Sequence, residues 1–188
     1  MPARRPDPQR LLAALTAQRA ALGLPPWKGP LDAPALGAAC ANVVVAALDA
    51  GLDPQRDAMR IAVRYTLDVL AELAPGRAVE VRVPPFAAVQ AVEGPRHTRG
   101  TPPNVIEVDP VSWMLLAAGR MAWEQAIARR VIAASGQRAD LTGYLPLFSP
   151  SQPGSPSQPG SPSQPGSPSQ PGSPSQPGSP SQPGDRPS

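Results

Sequence analysis

From Ser151 the chain repeats the hexapeptide Ser-Gln-Pro-Gly-Ser-Pro five times and closes on Ser181 to Gly184, without one apolar side chain large enough to enter a core. Ordering such a segment loses backbone entropy that no burial offsets, so it is expected to be disordered. Fold and chemistry then rest on the first ~148 residues, enough for one ordinary domain with a real core. Proline stands at every third position from Pro150 to Pro183. That spacing matches the three-residue turn of polyproline II, which would make the tail a semi-rigid spacer or a ligand for an aromatic-lined groove. Repeat expansion would give the same pattern with no partner at all.

The tail holds one arginine, Arg186, and one acid, Asp185, so the formal charge of +3 belongs to the body. No basic run exceeds two residues and Lys28 is the only lysine, which argues against a nucleic-acid footprint. Cys40, the single cysteine, lies in an apolar stretch and reads as a small buried hydrophobe; no disulfide can form within the chain. Met1 to Arg10 is polar and proline-punctuated, unlike a signal peptide, and the longest apolar stretch, residues 35–48, is too short to span a bilayer. The expectation is a cytoplasmic protein with no stable membrane insertion.

Three Asp-Pro pairs, Asp7-Pro8, Asp53-Pro54 and Asp109-Pro110, each offer a helix cap followed by a first-turn proline. They predict helices from Pro8 to Leu22, from Pro54 to Ala74 and from Pro110 to about Gly119. Another helix is expected from Ala33 to Ala50, with Leu36, Cys40, Val43, Ala47 and Leu48 on one face. After Gly76 the apolar period changes from near 3.6 to 2: Val79, Val81 and Val83 alternate with Glu80 and Arg82, giving a strand with one buried face. Phe86 to Val92 and Asn104 to Val108 predict two more strands around a polar loop, Glu93 to Pro103. A short turn with Trp123 and Ile127, a strand from Arg130 to Ser135 and a closing amphipathic segment from Ala139 to Leu147 complete the body. Helices, then strands, then helix, strand and helix make an α+β domain rather than a doubly wound sheet.

Two stretches carry a resemblance. VRVPPFAAVQAVEGPRHTRGTPPNVIEVDP, from Val81 to Pro110, and DPVSWMLLAAGRMAWEQAIARRVIAASGQRADLTGYLPL, from Asp109 to Leu147, together resemble the sterol-carrier-protein-2 superfamily, and more closely its bacterial sterol-carrier orthologue branch. The second stretch is similar to that superfamily's C-terminal pattern of acid-capped helix, Gly-Arg, short helix, strand ending in Ser-Gly and closing apolar helix. The resemblance implies a mostly antiparallel sheet backed by helices, enclosing an apolar cavity that in eukaryotic relatives binds sterols, fatty acids or their thioesters. It divides the chain into an N-terminal helical region (1–52), a sterol-carrier-like α+β domain (53–148) and the repeat tail (149–188). Residues 1–52 match no sterol-carrier element, and the chain does not end in a peroxisomal signal. Certain mycothiol-dependent isomerases carry a similar C-terminal domain, but their metal site needs several histidines in a preceding helical domain, and His97 is the only histidine here. That activity does not transfer.

Phe86, Val89, Trp113, Leu116, Met121, Trp123 and Tyr144 are candidates to line the cavity, though a close-packed core would use the same residues, and the same holds for Met114 and Ile127. Arg96, His97 and Arg99 lie in the polar loop and could meet an anionic headgroup, since arginine donates two parallel hydrogen bonds to such anions; a solvated hairpin loop has the same composition. Glu80, Glu107 and Asp109 could in principle form a carboxylate pair, but Glu80 is expected on the wet face beside Arg82. One histidine and one cysteine supply neither a metal site nor a nucleophile with its base, so no catalytic residue, metal or cofactor is assigned. The expected function is non-enzymatic binding of an apolar or amphipathic lipid-like ligand. The alternatives are an interaction or regulatory module whose helical residues 7–74, or whose proline-rich tail, engage a protein, and a thioester or isoprenoid enzyme using His97.

Overall fold

A computed structural model describes residues 7–94 and 104–150 of the chain. The repeat tail from Ser151, and the loop carrying Arg96, His97 and Arg99, lie outside the described residues. Among those described, five α-helices and four strands run in the order α1 (Pro8–Ala21), α2 (Ala33–Asp49), α3 (Arg56–Leu73), β1 (Val79–Val83), β2 (Ala87–Ala91), β3 (Val105–Val108), α4 (Pro110–Ala117), α5 (Trp123–Ala128) and β4 (Ile132–Ser135).

Two of the three expected caps form. Asp7 accepts the Gln9 N–H at 3.0 Å to open α1, and Asp109 accepts the N–H groups of Val111 and Ser112, both at 3.0 Å, to open α4. Asp53 does not cap α3, which starts two residues later than Asp53-Pro54 suggests. The N-cap residue of that helix, Gln55, makes no side-chain cap; its N–H is taken by the Gln18 side chain of α1 at 2.6 Å. A buried group from another helix thus replaces the local cap.

The first two helices are not a free arm. Leu11 and Leu15 of α1 pack on Leu36, Ala39, Cys40 and Val43 of α2, while Ala41, Val44 and Val45 on the other side of α2 join the main core. Helix α2 is therefore buried on both sides rather than along the single face its spacing predicts, and its three consecutive valines follow from that position. Arg19 is also drawn in: its Nε donates to the Pro25 carbonyl at 2.7 Å and its guanidinium lies 5.7 Å from the Trp27 ring centroid. Arg120 reaches back from beyond α4 to Asp49 at the end of α2, Nη2 to Oδ2 at 2.9 Å.

The sheet has the order β2-β1-β3-β4, with β1 antiparallel to β2, β1 parallel to β3, and β3 antiparallel to β4. It is mixed, with two of its three pairings antiparallel. Register places Val79, Val81 and Val83 on one face with Ala87, Val89, Ala91, Ile106, Val108 and Ile132. This is the face that packs on α3 and α4, and alternation leaves Glu80, Arg82, Gln90 and Glu107 on the other. Gly76 allows the chain to enter β1: a Cβ there would run into the Val92 carbonyl.

The closing segment differs from the expected helix. Residues Thr142–Tyr144 form a single 3-10 turn, which Asp140 opens by accepting from both the N–H (2.8 Å) and the hydroxyl (2.6 Å) of Thr142. Gly143 and Pro146 disfavour a longer helix. The chain is instead fixed by Ala117 at the end of α4, whose carbonyl accepts the N–H groups of Leu147 (2.8 Å) and Phe148 (3.2 Å).

Candidate functional site

A ligand cavity, if preformed, would lie between the valine face of the sheet and helices α3 and α4. Buried side chains crowd that space. Trp113, Leu116 and Met121 are buried within it, Trp113 completely, and Phe86, Val89, Trp123 and Tyr144 pack partly buried around the same core. Met114 is likewise fully buried, whereas Ile127, expected to face inward, is 42% exposed because α5 turns Ala126 and part of Trp123 inward instead.

The centre of this interior is polar at one point. The Trp113 indole N–H donates to Thr66 Oγ1 at 2.8 Å, and the Thr66 hydroxyl in turn bonds the Ala62 carbonyl at 2.9 Å, one turn earlier on α3. The Met114 sulfur lies 3.9 Å from the same oxygen. A buried indole with its donor satisfied is a packed core group in a fixed orientation.

A small cleft of about 80 Å³ opens where α3 meets the edge of the sheet, lined by Arg64, Leu67, Asp68, Ala87, Ala88 and Val89. Pockets that enclose a drug-sized molecule run to roughly 300–1,000 Å³, so this one seats about one side chain. Of the residues named from sequence, only Val89 lines it. Burial raises the Asp68 carboxyl above its ordinary range, an effect Arg64 opposes and Glu72 reinforces. Burial, with Glu72 nearby, also raises the Tyr65 hydroxyl.

On the face of the sheet turned away from α3 and α4, Glu80 accepts from Arg82 Nε at 2.6 Å, the pairing expected of it, and Glu107 stands across from Arg82 on β3. The hydrogen bond to Glu80, then the charges of Glu80 and Glu107, hold the Arg82 pKa above its usual value. The Arg82 guanidinium thus stands between two carboxylates, Glu80 on its own strand and Glu107 on β3. Asp109 is committed to its cap. Among the described residues no three His, Cys, Asp or Glu side chains gather as metal ligands, and no helix is long and apolar enough to cross a membrane. Burial pushes the Cys40 thiol up to about 12, far from a reactive thiolate.

The sequence reading missed the residue that organises the base of the polar loop. Asn104 is buried; its Nδ2 donates to the Ala78 carbonyl at 2.7 Å and its Oδ1 accepts the Arg138 N–H at 3.0 Å. Gly94, at the other end of the loop, sits so close to Ala78 and Arg138 that a Cβ would come within 2.6 Å of each. The one available signal was a lone asparagine opening a strand of Val, Ile and Val.

No curated protein matches the chain. The family model described as bacterial SCP ortholog matches residues 55–147, a span that runs from the start of α3 through the sheet to the closing turn and leaves α1 and α2 outside. The match covers both stretches in which the resemblance was read, and the α+β architecture with a helix-backed sheet accords with it. Through residues 55–147 the chain belongs to the sterol carrier family, as a bacterial SCP ortholog.

Proposed function

We propose that the protein is a non-enzymatic binder of an apolar or amphipathic, lipid-like ligand, held between the valine face of the sheet and helices α3 and α4. The observation that carries this reading is the family match over the elements whose apolar faces enclose that interior. Phe86, Val89, Trp113, Leu116 and Met121 would touch the ligand's apolar part, with Trp123 and Tyr144 toward α5. Arg96, His97 and Arg99 are the headgroup contacts in this proposal. The buried side chains of this interior pack on one another, so binding must offset whatever packing a ligand displaces. Native mass spectrometry of the full chain purified from cells, set beside titration with a fluorescent fatty acid and a fluorescent sterol, tests the proposal. A co-purifying lipid, or saturable binding with a changed Trp113 emission, supports it; a ligand-free protein indifferent to both probes overturns it.

The satisfied, fully buried Trp113 favours a second reading, in which the sterol-carrier fold is kept as an interaction module with its interior closed. Substituting Met121 by Ala opens space in the interior, so fatty-acid binding that appears only in this variant would select the second reading over the first.

A further inference from the structure

Among the described residues β2 is an edge strand, and its sequence, Ala-Ala-Val-Gln-Ala, holds neither proline nor charge, the features that usually guard such an edge. The direction of its free groups follows from its neighbour. The Glu80 N–H goes to the Asn104 carbonyl on the β3 side, so the odd-numbered residues of β1 bond toward β2. Their partners are Ala87, Val89 and Ala91, which leaves Ala88 and Gln90 with N–H and C=O turned outward. Beside this edge α3 presents a cation and a carboxylate one turn apart, Arg64 and Asp68, with no ion pair between them among the described residues and a side-chain-sized cleft below.

We propose that two copies of the chain pair antiparallel through the outer edge of β2, joining two four-stranded sheets into one, with Arg64 of each α3 set against Asp68 of the other. A two-fold axis at Val89 pairs Ala88 with Gln90 of the second copy, and Gln90 with its Ala88, so every outward group of the strand finds a partner. The same axis sets Val89 beside Val89 of the second copy, on the face where the cleft opens. Since the cleft brings Arg64, Leu67 and Asp68 alongside residues 87–89, it also turns the two α3 helices antiparallel, so that a rim bearing plus then minus meets its own reverse. A rim of one sign would repel its copy; this one is self-complementary. The pairing is independent of whether a lipid binds inside.

Sedimentation velocity of the full chain over a hundredfold range of concentration tests this. A reversible dimer is expected, with Arg64→Asp and Asp68→Arg each raising its dissociation constant at least tenfold. An equimolar mixture of the two variants should restore a heterodimer, which no effect on folding can imitate. Ala88→Pro, which removes an outward N–H but no bond to β1, should also give a monomer. A wild-type chain that stays monomeric, even if it captures a peptide, overturns the proposal, as does a dimer that survives all three variants or a mixture that remains monomeric.

Discussion

The indole of Trp113 and the hydroxyl of Thr66, 47 positions apart in sequence, meet at 2.8 Å inside the core and tie α4 to α3. Replacing Thr66 by Val keeps the shape and leaves the indole N–H buried without an acceptor, a loss of about 1–3 kcal/mol in unfolding free energy. Adding Trp113→Phe removes the stranded donor, so the double variant should lose less than the sum of the two. Urea unfolding of the four proteins in the cycle checks this; strict additivity would mean that the bond is energetically idle.

Asn104 holds two backbone groups with one side chain. Asn104→Ala should destabilise the protein by about 1–3 kcal/mol, and Asn104→Asp should fare no better, because a carboxylate can still accept from Arg138 but faces the Ala78 carbonyl without a proton to donate. Hydrogen exchange should show the Arg138 amide losing protection in the alanine variant and retaining more of it in the aspartate variant.

Gln18 contributes to α3 although it belongs to α1. Gln18→Met, similar in length and unable to accept, should lower stability by about 1 kcal/mol, the magnitude of a lost N-cap. The accompanying change should be faster amide exchange at Gln55, with α1 itself still helical by circular dichroism.

Cys40 has its thiol raised from 9.0 to about 12 by burial. The unfolded chain therefore releases this proton at lower pH than the folded one, so stability is intact below about pH 9 and falls as the pH climbs toward 12. The slope is at most about 1.4 kcal/mol per pH unit from this group. Cys40→Ala should flatten the wild-type decline over pH 9–11, and the wild-type thiol should resist a disulfide reagent at pH 8 until urea unfolds the chain. Rapid labelling of the native protein would contradict its burial.

Deleting Ser149 to Ser188 leaves both hydrogen bonds to the Ala117 carbonyl in place, so the thermal midpoint should move by no more than about 2 °C. Extending the deletion back to Leu147 removes both bonds and should lower the midpoint measurably in a calorimetric scan.

Much of this fold was written in local pattern. The switch of period at Gly76 located β1, the Asp109-Pro110 pair located α4, and two quoted stretches carried the family. What stayed hidden was decided by partners distant in the chain. Asp53-Pro54 has the form of a cap, but a helix start depends on which acceptor reaches its free N–H groups, and Gln18 arrives from 37 residues away. The two-sided burial of α2 depends on α1 packing against its outer face, which no window around the valines reveals. The same limit applied to the candidate site: aromatic and methionine residues at inward positions mark an apolar interior, but whether that interior is open or filled is a matter of packing among α3, α4 and the sheet. The roles of Thr66 and Asn104 could not be read locally, because their partners, a side chain and two backbone groups, are brought near only by the fold.

The polar loop has its two ends joined before it begins. With Gly94 against Ala78 and Arg138, and Asn104 bonded to the same two residues, the sheet is closed beneath the intervening stretch whatever occupies it. A closure of this kind insulates the scaffold from its insert: doubling the length of such a stretch adds only about 0.6 kcal/mol of closure entropy. The domain can therefore serve as a display frame, in which foreign or randomised segments are exchanged between Gly94 and Asn104 while the four strands keep their register.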